Sequence, residues 1–376
     1  MAETDYGAIT IDTNIFDRYQ IALEKGPLNQ LDQFKTGPVR VVISEIIHNE
    51  IYAHLKKNIE SSQSQIKRAI RNARAQLQTK ETALSEAHKL LLGGDENRDI
   101  AFERMAAFYI KLNVEIISVG KSFDISNLVK MYFESSAPFE NNEKKKYEFP
   151  DAIALLSLEK WAEDNDVKIL AVSSDKGWEK YGVSSQRIDV VDDLSVAFIH
   201  FADHISAASI IERIRTDYQS DPENNIFDSI TGGIEESLDG ACICVDADSS
   251  YYYEEEDAVA EYGSHELECD ENEKPIINAI RVEDDLLVLQ MTAIVTCDAF
   301  ASFSLSVWDS EDKEYMNIGS SSKCIQHDYS TKILVYLVGE IKNGIDSLEV
   351  EKVEVLEYPD HIHFGEIEPD WYDDPH

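Results

Sequence analysis

The first half of the sequence alternates short apolar segments with stretches that favour helix, and this alternation limits the folds that the chain can adopt. Residues 8–11, 39–44 and 168–173 are apolar segments that end in polar side chains, and residues 114–119 and 188–191 are two further strand candidates. Apolar runs of this length are typical of strands that are covered on both faces. Such strands alternating with helices predict an α/β fold, in which a parallel sheet is flanked by helices.

The stretch from residue 55 to about residue 92 interrupts that alternation. Nearly every position in it favours helix, and Gly93-Gly94 would end it. We interpret this stretch as a long helix or a helical hairpin, inserted into the α/β domain over about residues 55–110. Four basic side chains lie within it at spacings of one, three and three: Lys67, Arg68, Arg71 and Arg74. Several of them share one helix face and could bind successive phosphates of a nucleic acid, although such residues can also form an ordinary solvent-exposed face.

The second half changes to a pattern of alternating strands. Residues 206–240 favour helix and are predicted to be a helical linker. Beyond residue 241, apolar and polar residues alternate in segments 286–296, 300–308, 332–338 and 348–356. A period of two predicts strands with one buried face, so we expect a mainly antiparallel β domain, arranged as a sandwich, over residues 241–376. The first domain is predicted to span residues 1–205.

Charge is distributed unevenly over the 376 residues. Residues 1–205 hold 25 Lys and Arg against 32 Asp and Glu, a balance of −7, and residues 206–376 hold 9 against 41, a balance of −32. A surface this acidic repels phosphates, so we do not expect the second half to bind nucleic acid directly. It could imitate a nucleic-acid surface, bind a regulatory protein or a second copy of the chain, or only keep the protein soluble.

The sequence has no run of the roughly 18 consecutive apolar residues that a membrane span requires. The acidic start, Met1-Ala2-Glu3-Thr4-Asp5, is unlike a signal peptide. We therefore expect the protein in the cytoplasm.

Three aspartates lie at the ends of predicted elements of the α/β domain. Asp12 and Asp175 each come after an apolar strand segment, and Asp151 begins a predicted helix after Pro150. Ligand sites in parallel sheets form at the carboxyl ends of the strands, where Asp12 and Asp175 would fall. Each aspartate also has a structural explanation, as a turn residue, a helix cap or a first-turn residue.

These aspartates lie in motifs that resemble the PIN domain family of nucleases, within it the larger bacterial PIN-like proteins with a helical insertion. The motifs are Ile11-Asp12-Thr13-Asn14, Ser44-Glu45-Ile46-Ile47-His48-Asn49-Glu50, Phe149-Pro150-Asp151-Ala152-Ile153-Ala154 and Val172-Ser173-Ser174-Asp175-Lys176-Gly177-Trp178. The resemblance covers about residues 1–205, and we recognise no family for the rest. It implies that four acids bind Mg²⁺ or Mn²⁺ and carry catalysis: Asp12, Glu50, Asp151 and Asp175. Asn14, Ser173 and Ser174 would support them.

The second motif contains two glutamates, and the resemblance favours Glu50. Glu45 and Glu50 lie five residues apart, about 140° around a helix axis, so one site cannot easily use both. Glu45, in the first turn, also has a sufficient role as a residue favourable to the helix dipole.

The resemblance implies a metal-dependent endonuclease that hydrolyses phosphodiester bonds, with RNA favoured over DNA, and a role as a toxin-like or phage-defence effector. Hard divalent cations prefer carboxylate oxygens, so the chemistry agrees with the acidic set. Two alternatives stay open. The chain could be a structure-specific DNA nuclease, for which the inserted helices would form an arch, or a catalytically silent PIN fold used as a binding module.

Overall fold

A computed structural model of the chain describes residues 6–92, 99–121, 124–139, 145–202, 204–220, 225–239, 241, 243–359 and 361–370. The chain divides into two compact units, Ala2–Phe201 and Ala202–His376. Among the helices in these ranges, none is both long enough and apolar enough to cross a membrane.

The N-terminal unit is built on a parallel five-stranded sheet. Its strands are β1 (Tyr6–Ile11), β2 (Arg40–Ser44), β3 (Glu115–Ile117), β4 (Lys168–Val172) and β5 (Ile188–Val191). Their order in the sheet is β3-β2-β1-β4-β5, with every pair parallel. The central strands β1 and β4 are almost entirely buried, because helices cover both faces and their side chains are apolar. The predicted α/β fold class is therefore confirmed.

Nine helices of eleven in the described ranges belong to this unit. They are α1 (Thr13–Arg18), α2 (Gly26–Asn29), α3 (Glu45–Leu77), α4 (Glu81–Leu92), α5 (Ile100–Leu112), α6 (Ile125–Glu134), α7 (Phe149–Asn165), α8 (Lys176–Ser184) and α9 (Leu194–Ile199). Helices α1 and α8 begin directly after β1 and β4, with Asp12 and Asp175 as their N-caps. The carboxyl edge of the sheet therefore meets two helix N-termini.

Helix α3 is one continuous helix of 33 residues, and α4 follows it after a three-residue break. Ile47, Ile51 and Leu55 are the buried residues of α3, and all three lie in its first third. Helix α3 is in contact with α4, and beyond Leu55 it has half-buried positions that include Ile66 and Ile70. The glycine pair that we expected to end this region, Gly93-Gly94, lies outside the described residues.

The C-terminal unit combines two helices with a mainly antiparallel sheet, as predicted. Its elements are α10 (His204–Ser220), α11 (Asn225–Leu238), β6 (Cys244–Asp248), β7 (Tyr252–Leu267), β8 (Asn278–Val282), β9 (Leu286–Asp309), β10 (Glu314–Gly339), β11 (Leu348–Val355) and β12 (His361–Glu366). The main sheet has the order β11-β10-β9-β7, and β8 also pairs with β9. Strands β6 and β12 form a separate parallel pair.

Strand β9 shows why the expected sandwich is wrong. It is one unbroken strand that contains both segments with alternating residues, 286–296 and 300–308. Its odd-numbered side chains from Leu287 to Leu305 are all buried, so one face is covered over nearly the whole strand. The first half of this face packs against α10 and α11, through residues such as Ile214 and Ile230. The second half packs against β6 and β12. Two helices therefore replace half of the second sheet, and the helices of the predicted linker are part of the core.

Candidate active site

The carboxyl ends of β1 and β4 meet where the strand order of the parallel sheet reverses. From β1 the order continues to β2 and β3 on one side, and β4 and β5 lie on the other side. Such a reversal leaves a crevice between the loops that follow the two central strands. Asp12 follows β1, and its backbone N–H donates to the carbonyl of Val172, the last residue of β4, at 2.9 Å. Residues far apart in sequence thus become neighbours.

Asp12 is the centre of a hydrogen-bonded cluster in this crevice. Its Oδ1 accepts from the backbone N–H of Thr13 at 2.7 Å, and its Oδ2 accepts from Asn14 Nδ2 and Ser173 Oγ, each at 2.6 Å. Asn14 Nδ2 also reaches Ser173 Oγ at 3.2 Å, and Asn14 Oδ1 accepts from the backbone N–H of Ser174 at 3.4 Å. Asn14 and Ser173 therefore hold the Asp12 carboxyl directly, whereas Ser174 contacts only Asn14, through its backbone N–H.

The surroundings of Asp12 disfavour its negative charge. Burial raises its pKa to about 7, the repulsion of Asp151 and Asp175 adds to the rise, and the hydrogen bonds from Ser173 and Thr13 oppose it. A carboxyl that is buried and surrounded by other carboxyls gains most from a neutralising cation.

Asp151 lies in the first turn of α7 and is held by a tryptophan. The indole Nε1 of Trp178, which is fully buried, donates to Asp151 Oδ1 at 3.0 Å. Burial, with smaller contributions from repulsion by Asp175, Glu50 and Glu148, raises the pKa of Asp151 to about 6, against the effect of the Trp178 hydrogen bond. The coupling of Asp151 to Glu50 and Asp175, and of Asp12 to Asp151 and Asp175, places the four expected acids in one electrostatic cluster.

Asp175 is fixed by the helix that it caps. Its Oδ1 accepts from the backbone N–H groups of Gly177 at 2.6 Å and Trp178 at 3.3 Å. Gly177 has no room for a side chain, because a Cβ there would lie 2.8 Å from Asp175 Oδ1 and 3.0 Å from the carbonyl oxygen of Pro138. Residues 177 and 178 therefore determine where this carboxylate points.

The two glutamates of α3 have different environments. Glu50 Oε2 accepts from Thr13 Oγ1 at 2.7 Å, which ties it to the residue after Asp12. Glu45 Oε2 instead accepts from Ser118 Oγ and from the backbone N–H of Val119, each at 3.0 Å. These two hydrogen bonds lower the pKa of Glu45, the one from the Val119 backbone most. Glu45 is engaged just beyond β3, away from Asp12.

A family comparison identifies this unit. Residues 9–178 match the family described as PIN domain, a range that contains all four acids. The N-terminal unit is a PIN domain. Neither the curated proteins nor the solved structures contain a match to the chain. The comparisons leave the C-terminal unit unassigned.

PIN domains are generally metal-dependent nucleases, so we ask whether the four acids of this PIN domain suit a divalent cation as ligands. Four carboxylates that repel one another are a donor set of hard oxygens, which fits Mg²⁺ or Mn²⁺ by its chemistry. Among the described residues, no group of three or more His, Cys, Asp and Glu side chains stands as it is in an arrangement that could hold a metal ion.

Three residues of the PIN domain have contacts that sequence reasoning missed: Thr13, Gly177 and Trp178. All three lie inside the motifs that carried the resemblance, so the signal for them was their position beside Asp12 and Asp175. That position does not show that Thr13 bonds to Glu50 or that the Trp178 indole reaches Asp151, because both partners are far away in sequence.

The four predicted substrate-binding residues lie outside this cluster. Lys67, Arg68, Arg71 and Arg74 are exposed on the part of α3 beyond Leu55. Arg74 forms an ion pair with Glu81 at the start of α4. The basic side chains therefore belong to a separate surface of the PIN domain.

Proposed function

We propose that this protein is an endonuclease that depends on Mg²⁺ or Mn²⁺ and hydrolyses phosphodiester bonds, with RNA as the favoured substrate. The observation that carries the proposal is the coupling of Asp12, Glu50, Asp151 and Asp175 at the switch point of a PIN-domain sheet. The preference for RNA, and a role in defence or as a toxin, rest on the family alone.

The four acids would hold the divalent cation, which when bound lowers the pKa of a water and neutralises charge on the scissile phosphate. The other residues keep the acids in place. Asn14 and Ser173 hold one oxygen of Asp12, Thr13 holds Glu50, and Trp178 holds Asp151. These donors restrict the carboxylates to few orientations.

Substrate would be held by the basic residues of α3. Lys67, Arg68, Arg71 and Arg74 are exposed cations on a chain of net charge −39, so they would attract a polyanion to this part of the PIN domain. We further propose that the acidic C-terminal unit serves regulation or partner recognition, by binding a regulatory protein or a second copy of the chain.

The test is cleavage of labelled single-stranded RNA, single-stranded DNA and a branched DNA duplex, each in Mg²⁺, in Mn²⁺ and in EDTA. The proposal expects RNA cleavage that EDTA abolishes and that Asp175→Asn removes. Faster cutting of branched DNA would favour the structure-specific DNA nuclease. If a folded protein that binds the metal cuts none of the polymers, the binding module is the better interpretation.

A further inference from the structure

The part of the PIN domain formed by α4 and by α3 beyond Leu55, here called the arm, has a charge opposite to that of the protein. Residues 56–92 hold eight Lys and Arg against three Glu, a balance of +5 on a chain of net charge −39. The arm has little buried surface, since α3 has no buried residue beyond Leu55 and α4 has Leu84 alone. An exposed basic segment of this kind is suited to a polyanionic partner.

Three of the basic residues form a track along one side of the arm. At about 100° per residue, Lys67, Arg71 and Arg74 fall within an arc of about 60°, whereas Arg68 points about 60° away from Arg71. The half-buried Ile66 and Ile70 lie outside that arc. All three side chains of the track are exposed.

Two members of the track have no carboxylate partner in the described part of the chain. Arg74 pairs with Glu81, and this hydrogen bond is the largest cause of the raised pKa of the Arg74 guanidinium. No ion pair among the described residues involves Lys67 or Arg71. Phosphate oxygens can therefore approach these two cations without displacing an acid.

The continuity of α3 fixes how far the track lies from the acidic cluster. Glu50 is on the same helix, 17 residues before Lys67 and 24 before Arg74. A rise of 1.5 Å per residue gives separations of about 26 Å and about 36 Å along the axis. With one base pair per 3.4 Å of duplex, this distance corresponds to about 8 to 11 base pairs.

We propose that the arm binds the phosphate backbone of the substrate about 26–36 Å from the scissile bond, so that tight binding requires a nucleic acid about one helical turn longer than the cleavage site. This inference rests on the proposed function for the position of the scissile bond. It names the substrate class as an extended nucleic acid, and it excludes short oligonucleotides as good ligands.

The test is the affinity of the full chain for labelled RNA duplexes of about 5 and about 20 base pairs, one shorter and one longer than this reach. Fluorescence anisotropy is measured in Ca²⁺, which also takes oxygen ligands, and the RNA is recovered to check that it is intact. The variant is Lys67→Gln with Arg71→Gln. The control is Lys313→Gln with Lys342→Gln, which changes the net charge equally at exposed positions of the C-terminal unit.

For the long duplex, the arm variant should lose about tenfold or more in affinity, and its slope of log K against log salt should fall by about 1.8, since each lost phosphate contact removes about 0.9. The short duplex and the control should change less than about twofold. Equal losses for both lengths, a loss that the control shares, or equal affinity of the wild type for both lengths would each overturn the proposal. Length-dependent binding without cleavage in Mg²⁺ would count against the proposed function and leave the arm inference standing.

Discussion

In the PIN domain, two acidic side chains are buried next to further acids, whereas in the C-terminal unit the acids greatly outnumber the basic residues and lie mostly at the surface. Burial raises the pKa values of Asp12 and Asp151. In the C-terminal unit the shifts have the opposite sign. The pKa of Asp270 is lowered by the backbone N–H of Asn272, and that of Glu212 by a hydrogen bond from Lys274. The comparison shows that the position of a carboxylate, and not the local net charge, makes it a candidate for cation binding.

The largest difference between the two units is expected for the loss of one acid from each. Asp12→Asn should lower cleavage by about a hundredfold or more, the scale for removing one electrostatic contributor to a transition state. Asp312→Asn removes the same charge from an exposed turn of the C-terminal unit and should have no measurable effect. Initial rates on labelled RNA, with circular dichroism to verify folding, measure both. Comparable losses would mean that net charge and not position matters.

The same comparison can be made within helix α3. Glu50→Gln should lower the affinity for Mn²⁺ by about tenfold or more, because it removes an acid of the cluster. Glu45→Gln, the matched change at a carboxylate bonded to Ser118 and Val119, should alter it less than about twofold. Isothermal titration with Mn²⁺ gives the two constants. A larger effect at Glu45 would show that our choice between the glutamates is wrong.

Trp178 tests whether the donors around the acids contribute to cation binding. Trp178→Phe keeps most of the buried ring and removes the N–H that Asp151 accepts, so the Mn²⁺ affinity should fall by about tenfold, the usual range for an outer-shell hydrogen bond. Trp161→Phe is the control, since Trp161 also donates through Nε1 to a carboxylate, that of Glu115, but at an exposed position. Equal Mn²⁺ affinities for the two variants would show that Trp178 contributes only to packing.

The smallest expected effect is a dependence of stability on pH. The pKa of Asp12 is about 7 in the fold against 3.8 as its ordinary value, so the native state binds the extra proton between these pH values. This contribution to stability is complete below about pH 4 and is lost as the pH rises through 7. In EDTA, the melting temperature of the wild type relative to Asp12→Asn should therefore fall by several degrees from pH 5 to pH 8.

Magnesium should reverse that trend. Cation binding displaces the proton, so Mg²⁺ should stabilise the wild type more at pH 8 than at pH 6. Thermal melts at the two pH values measure the difference. A constant gap between wild type and Asp12→Asn, with no additional protection by Mg²⁺ at pH 8, would show that Asp12 neither titrates in this range nor binds the cation.

The sequence alone was sufficient to predict the α/β fold class of the PIN domain, because local sequence patterns indicate it. Short apolar runs predicted all five strands of the parallel sheet, and the polar residues that end the runs 8–11, 39–44 and 168–173 marked the ends of β1, β2 and β4. For the same reason the positions of Asp12 and Asp175 could be assigned to the carboxyl edge. The mainly antiparallel character of the C-terminal unit also followed from a local pattern, the period of two along β9 and β10.

Only the tertiary structure decided which residues meet. The order β3-β2-β1-β4-β5 makes β1 a neighbour of both β4 and β2. The first pairing brings the Ser173 hydroxyl to Asp12, and the second brings Glu50 to the Thr13 hydroxyl. Contacts between distant parts of the chain also explain why α10 and α11 pack on β9, where we expected a second sheet. Periodicity shows that a face is buried, but what buries it depends on contacts between residues far apart in sequence, which local patterns do not encode.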